Sequence, residues 1–182
     1  MSRRLVLQMQ LSLDGFVSGP RGEVEWAFAD FDEEYAEHEV PMLWRAGAHL
    51  MGSVTYREMA AHWPTSTEPY AAPMNRIPKI VFSRSLTKAE WAETRIVSGD
   101  LATEIATLKR QPGKDLLAHG GARFARSLVR TGLIDEFRLM VHPLVLGKGV
   151  RLFPELAAPM RFKLVDSKAF RTGLIARTFQ PA

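Results

Sequence analysis

The sequence predicts a three-layer α/β/α fold: a central, mostly parallel β-sheet with helices on both faces and an antiparallel hairpin at its C-terminal edge. Strand-like and helix-like segments alternate through most of the chain. Strands alone close it, and a Thr172-Gly173 turn signal joins the last two. With 182 residues, no internal repeat and no low-complexity tract, the chain reads as a single domain, 1–182.

The elements follow in order. "RLVLQMQLSLDG" (4–15) begins as a strand, with Leu5 and Leu7 alternating against Gln8 and Gln10, and stops at Asp14-Gly15. A Gly/Pro-rich loop leads to Trp26. Residues 30–47 read as a helix kinked or restarted at Pro41. "AHLMG" (48–52) is a short buried strand, and residues 53–63 form a helix with Ser53 as its expected N-cap. Pro64 to Pro78 reads as loop. "KIVFS" (79–83) and "TRIVS" (94–98) are strands, and residues 100–110 form a helix capped by Asp100. "DLLAH" (115–119) is a strand, and residues 121–132 form a helix ending at Gly132. "EFRLMVHPLVLG" (136–147) is a strand entering a Pro/Gly loop, with Phe137, Leu139 and Val141 as its core face. Residues 162–170 and 174–179 form the closing hairpin.

Composition narrows the function classes. The net charge of +4 suits anionic ligands, but the basic residues are scattered, which argues against a nucleic-acid partner. No apolar run approaches the roughly 20 residues that span a bilayer, so no membrane partner is expected. The absence of cysteine excludes disulfide and thiolate chemistry and fits a cytoplasmic location. Eight acids between Glu23 and Glu39 read mostly as a solvated helix start.

Three expected strand ends carry chemistry: Gly52-Ser53-Val54-Thr55, Ser83-Arg84-Ser85 and Gly120-Gly121-Ala122-Arg123. Ligands of open α/β sheets bind beyond such ends. A helix start there offers unpaired N–H donors to a phosphate, and glycine lets the backbone come close. A single strand-Gly-helix junction is more often tight packing than a ligand site. Neither the full Rossmann fingerprint nor the Walker pattern is present.

Together these segments resemble the dihydrofolate-reductase-like superfamily. They are most similar to the reductase (C-terminal) domain of the bifunctional riboflavin-biosynthesis deaminase-reductase. The resemblance rests on "SLDGFVSG", "MGSVTYREM", "VFSRSL", "HGGARF" and "LIDEFRLMVHPLVLGKGVRLF" in that order, and covers nearly the whole chain. It implies NADPH as cofactor and a small heterocyclic substrate, as for 5-amino-6-(5-phosphoribosylamino)uracil reductase. A dihydrofolate or pterin reductase and a non-catalytic dinucleotide-binding module are the alternatives. By the same resemblance, Gly52, Ser53 and Thr55 would lie under the cofactor phosphates. Ser83 and Arg84 would flank the adenosine end, with Arg57 as a second cation. Gly120, Gly121, Ala122 and Arg123 would cradle the pyrophosphate from the opposite side. Asp14 matches the family's acid in the "SLDG" segment. Lys148 and Arg151 are the cations offered to a substrate phosphate. With no His/Cys zinc cluster for a deaminase half, a stand-alone reductase-like domain is expected.

Several of these residues have plain readings beside the functional ones. Trp26 lines the substrate pocket or packs in the core. Asp14 serves in substrate binding or proton delivery, or merely closes a turn. Gln10 hydrogen-bonds an amide-like substrate edge or faces solvent. His38, His49, His62, His119 and His142 lack metal-ligand spacing, so no metal is expected, and His119 reads as a buried, hydrogen-bonded histidine. The apolar loop "PLVLGKGVRLFPEL" (143–156) points to a two-fold homodimer with the C-terminal strands near the interface.

Overall fold

In the computed structural model, which describes every residue except Met1, Pro154 and Ala157, strand β1 (Leu5–Leu11) lies near the middle of the sheet. Pro154 of the expected apolar loop therefore lies outside the described residues. Leu5, Leu7, Met9 and Leu11 enter one core and Val6 the other, because successive strand residues point to opposite faces. Strands β3 (Ala46–Gly52), β4 (Lys79–Phe82), β5 (Thr94–Val97), β6 (Asp115–Ala118) and β7 (Glu136–Val141) join it in the order β5-β4-β3-β6-β1-β7, all parallel. The antiparallel pair β10 (Ile175–Pro181) and β9 (Phe162–Ala169) extends the β7 edge. A two-stranded ribbon of β2 (Phe16–Ser18) and β8 (Val150–Arg151) stands apart; the sequence pattern did not indicate it.

Helices α4 (Leu101–Arg110) and α5 (Ala122–Thr131) cover one face, through Ile105, Leu108, Phe124, Ala125, Leu128 and Val129. Helices α1 (Glu33–Leu43), α2 (Ser53–His62) and α3 (Ala71–Arg76) cover the other, through Tyr35, Leu43, Tyr56 and Met74. Asp32 caps α1 and Asp100 caps α4, each side chain accepting a backbone N–H of the first turn. Gly132 ends α5 in the left-handed conformation that favours glycine.

Several expectations are corrected here. Pro41 does not restart α1: the helix runs unbroken through it, and it sits in the last turn, two residues before the helix ends. The N-cap of α2 is Gly52, in extended conformation, and Ser53 is already helical. The 64–78 segment is not all loop. It holds a 3-10 turn, Trp63–Thr65, and helix α3. Asn75 ties them together, donating to Trp63 O at 2.8 Å and accepting from Trp91 Nε1 at 2.8 Å. Strand β7 is buried on both faces, since helices cover each side of a parallel sheet. Its Arg138 survives burial by donating to Glu136 at 2.9 Å. Glu39, expected on a solvated face, is buried and accepts from Gln8 Nε2 at 2.6 Å. The 143–156 loop folds back in part: Leu152 is fully buried, and Phe153 packs against Phe137 and Phe162.

Candidate functional site

Neighbouring strands β3 and β6 send their chains in opposite directions. From β3 the chain passes through α2 to β4; from β6 it passes through α5 to β7, on the far side of β1. The two helices cover opposite faces, so their N-termini flank one crevice at the C-terminal ends of β3 and β6. Open α/β sheets bind ligands at such a switch point.

The two helix starts are joined. Thr55 Oγ1, in the first turn of α2, donates to Gly120 O at 2.9 Å. A Cβ on Gly52 would come within 3.3 Å of Phe124 Cβ. Gly121 adopts φ +94°, and a Cβ there would meet Thr55 Oγ1 at 2.6 Å. Neither Gly52 nor Gly121 supplies a side-chain cap, so no side chain satisfies the first N–H groups of α2 or α5 at these caps. Ser53, Thr55, Gly120, Gly121, Ala122 and Arg123 are thus brought together, with Arg123 exposed on the first turn of α5. The paired helix starts are suited to holding an anion.

The end of β4 lies next to that of β3. Ser83 spends its hydroxyl on its own turn, accepting from Ser85 N at 3.2 Å and Leu86 N at 3.0 Å. Arg84 is exposed beside it. Hydrogen bonds from Thr103, with a smaller pull from Arg84, hold the Asp100 carboxyl below its usual range. Beneath Gly120, His119 Nε2 lies 2.7 Å from His49 Nδ1, and His49 Nε2 lies 3.3 Å from Pro73 O. A carbonyl only accepts, so His49 carries its proton on Nε2 and His119 donates to its Nδ1. Burial pushes His49 down to about 4 and His119 well below the imidazole range, leaving a neutral structural pair.

The other expected site residues fall into two groups. Asp14 accepts from Ser12 Oγ at 2.7 Å, Leu146 N at 3.1 Å and Gly147 N at 2.8 Å. These bonds, the Ser12 hydroxyl first, hold its carboxyl below the usual range, so near neutral pH it is an anion with no proton to give. Arg151 lies 4.7 Å above the Phe16 ring and donates to Asp14 O at 3.4 Å. Lys148 is exposed on the same loop.

Gln10 and Trp26 meet at a residue to which the sequence analysis gave no role. Buried His142, just beyond β7, places Nε2 2.8 Å from Gln10 Oε1 and Nδ1 2.6 Å from Asp30 Oδ2. Trp26 meets the His142 ring edge-on, with centroids 5.2 Å apart. Gln10 Nε2 donates in turn to Tyr35 OH at 3.3 Å. Strand parity could have placed Gln10 and His142 on one face. Nothing local separates Asp30 from the acids around it.

A model of the RibD C-terminal domain family matches residues 3–176. The chain is 30% identical to the uncharacterized protein YyaP of Bacillus subtilis, over 95% of this chain and 92% of that one. It is 25% identical to the riboflavin biosynthesis protein RibD of Corynebacterium ammoniagenes, matching 91% of this chain and 49% of that one. The structure resembles a putative riboflavin biosynthesis protein from Shewanella, with TM-score 0.77 and 24% identity, over 100% of this chain and 99% of that one. It also resembles a diaminohydroxyphosphoribosylaminopyrimidine deaminase/5-amino-6-(5-phosphoribosylamino)uracil reductase from Thermotoga maritima, with TM-score 0.70 and 16% identity, over 100% of this chain and 57% of that one. With its mostly parallel sheet, antiparallel edge hairpin and glycine-bearing crevice, the chain belongs to the RibD C-terminal domain family.

Proposed function

We propose that this protein is an NADPH-dependent reductase of a small heterocyclic substrate, in the manner of the uracil reductase activity named for the Thermotoga relative. The observation that carries the reading is the pair of helix starts facing each other across the β3/β6 crevice without side-chain caps. A diphosphate needs donors rather than carboxylates at close range, and both walls supply backbone N–H groups. Thr55 fixes the spacing of those walls, and glycine at 52 and 121 leaves room where a Cβ would meet a neighbour.

The reduced nicotinamide supplies the hydride when bound. The protein's own part is binding and orientation. Gly52, Ser53 and Thr55 hold one side of the diphosphate, and Gly120, Gly121, Ala122 and Arg123 the other. Exposed Arg84 pairs with a 2′-phosphate, at a strand end where Ser83 shapes the turn. Gln10 and Trp26 orient the heterocycle, and Lys148 and Arg151 attract a substrate phosphate. Asp14, ionised and bonded to the backbone of Leu146 and Gly147, holds the loop that carries Lys148.

Titration of the protein into NADPH, followed by nicotinamide fluorescence, tests the binding half. A turnover screen with dihydrofolate, a dihydropterin and a ribosylaminopyrimidine tests the chemistry. Saturable NADPH binding with oxidation in the presence of one of these compounds is expected. An unaltered NADPH signal would refute the reading; binding without turnover would leave a dinucleotide-binding module.

A further inference from the structure

Outside the crevice, a polar row runs Asp30–His142–Gln10–Tyr35, with His142 and Tyr35 buried and Asp30 and Gln10 partly so. Its geometry follows from two periodicities. His142 N donates to Leu11 O at 2.8 Å, fixing the end of β7 against the end of β1. Gln8 and Gln10 lie two residues apart on one face of β1, about 6.7 Å along the strand. Glu39 and Tyr35 lie four apart on α1, about 6 Å along the helix. The matching repeats let Gln8 reach Glu39 while Gln10 reaches Tyr35.

His142 ends this ladder. As arranged, both its nitrogens face acceptors, the Asp30 carboxylate and Gln10 Oε1, so each must carry a proton and the ring is an imidazolium. A neutral ring has a second way to keep every bond. Nδ1–H stays on Asp30, because a carboxylate can only accept. Nε2 then presents a lone pair, and the Gln10 amide turns over to donate to it. Tyr35 O–H in turn donates to Gln10 Oε1. The two arrangements contain the same number of hydrogen bonds and differ by one proton.

We infer that His142 is a positioning residue whose protonation state selects the orientation of the Gln10 amide. The inference rests on the proposed function only in assigning Gln10 to the substrate half. Turning the amide exchanges its remaining N–H and its remaining lone pair, so the heterocycle edge that Gln10 can pair with changes with it. Trp26 shares the ring, which couples the 25–30 turn to the same event. Asp30 is the charged group at the ring, with its side chain 15% exposed, and Tyr35 is reached through Gln10. The aromatic neighbours Trp26 and Phe31 carry no charge. Burial, working against the pull of Asp30, holds His142 below the ordinary imidazole range. The neutral ring and the turned amide are therefore the arrangement expected at neutral pH.

Nuclear magnetic resonance on the wild-type protein, with nitrogen-labelled histidine and glutamine side chains, tests this without any ligand. As pH falls, His142 Nε2 should gain its proton while Nδ1 keeps its own. The Gln10 amide resonances should shift with the same midpoint, below the ordinary imidazole value. In Asp30→Asn the shared midpoint should move lower, since the carboxylate that favours the imidazolium is gone. Gln10 resonances that stay flat while His142 titrates would overturn the inference, as would a midpoint raised by Asp30→Asn. NADPH titration is a separate readout, so failure of cofactor binding would remove the proposed function and leave this result standing.

Discussion

Replacing Gly121 by alanine should damage the crevice in two separable ways. At φ +94° an L-residue is strained, by roughly 1–2 kcal/mol. The new Cβ would also meet Thr55 Oγ1 at 2.6 Å. Thr55 can escape only by rotating its side chain, which breaks the 2.9 Å bond to Gly120 O and costs about another 1 kcal/mol. Urea denaturation should therefore show a total loss of roughly 2–3 kcal/mol. A double-mutant cycle with Thr55→Ala separates the terms. Thr55→Ala alone loses the bond, at about 1 kcal/mol. In that background Gly121→Ala should cost only the backbone strain, because nothing remains to clash with. A coupling of about 1 kcal/mol is the expected result. Strict additivity of the two substitutions would refute the reasoning, because it would mean that Thr55 does not hold the two helix starts together. NADPH affinity should fall with either single substitution, since both disturb the walls of the proposed diphosphate site.

Three further outcomes follow. Arg84→Ala should weaken NADPH by roughly 1.5–3 kcal/mol, about tenfold to a hundredfold in Kd, and leave NADH nearly unchanged, as fluorescence titration of each cofactor would show. Burial raises the Glu39 carboxyl from 4.5 to about 7, despite the opposing effects of Gln8 and Arg138, so the native state keeps a proton that the unfolded chain has released. Stability should therefore fall as pH rises from about 4.5 to 7, and Glu39→Gln should gain up to ~3 kcal/mol over wild type between urea titrations at pH 4.5 and pH 8; an unchanged difference would count against it. Light scattering at micromolar concentration should give twice the single-chain mass, because edge strand β9 leaves Leu164 52% and Val165 49% exposed, and Val145 of the 143–156 loop is exposed as well; a monomer mass would refute the dimer.

The sequence by itself determined what local chemistry and short periods can encode. Alternation along β1 and β7, the Asp32 and Asp100 caps and the Gly132 stop depend on residues within a few positions of one another. The three strand ends that carry chemistry, two of them with glycine, were legible for the same reason. Only the tertiary structure decided that β3 and β6 are neighbours, because strand order depends on crossovers through distant segments. That adjacency turns two unrelated helix starts into one crevice and gives Thr55 its partner 65 residues away. It also decided the fate of charge. Asp30 and Glu39 read as surface acids among their neighbours, yet one meets His142, 112 residues on, and the other is buried against Gln8. Sequence reports a side chain's hydrogen-bonding capacity, while folding alone chooses the partner that satisfies it.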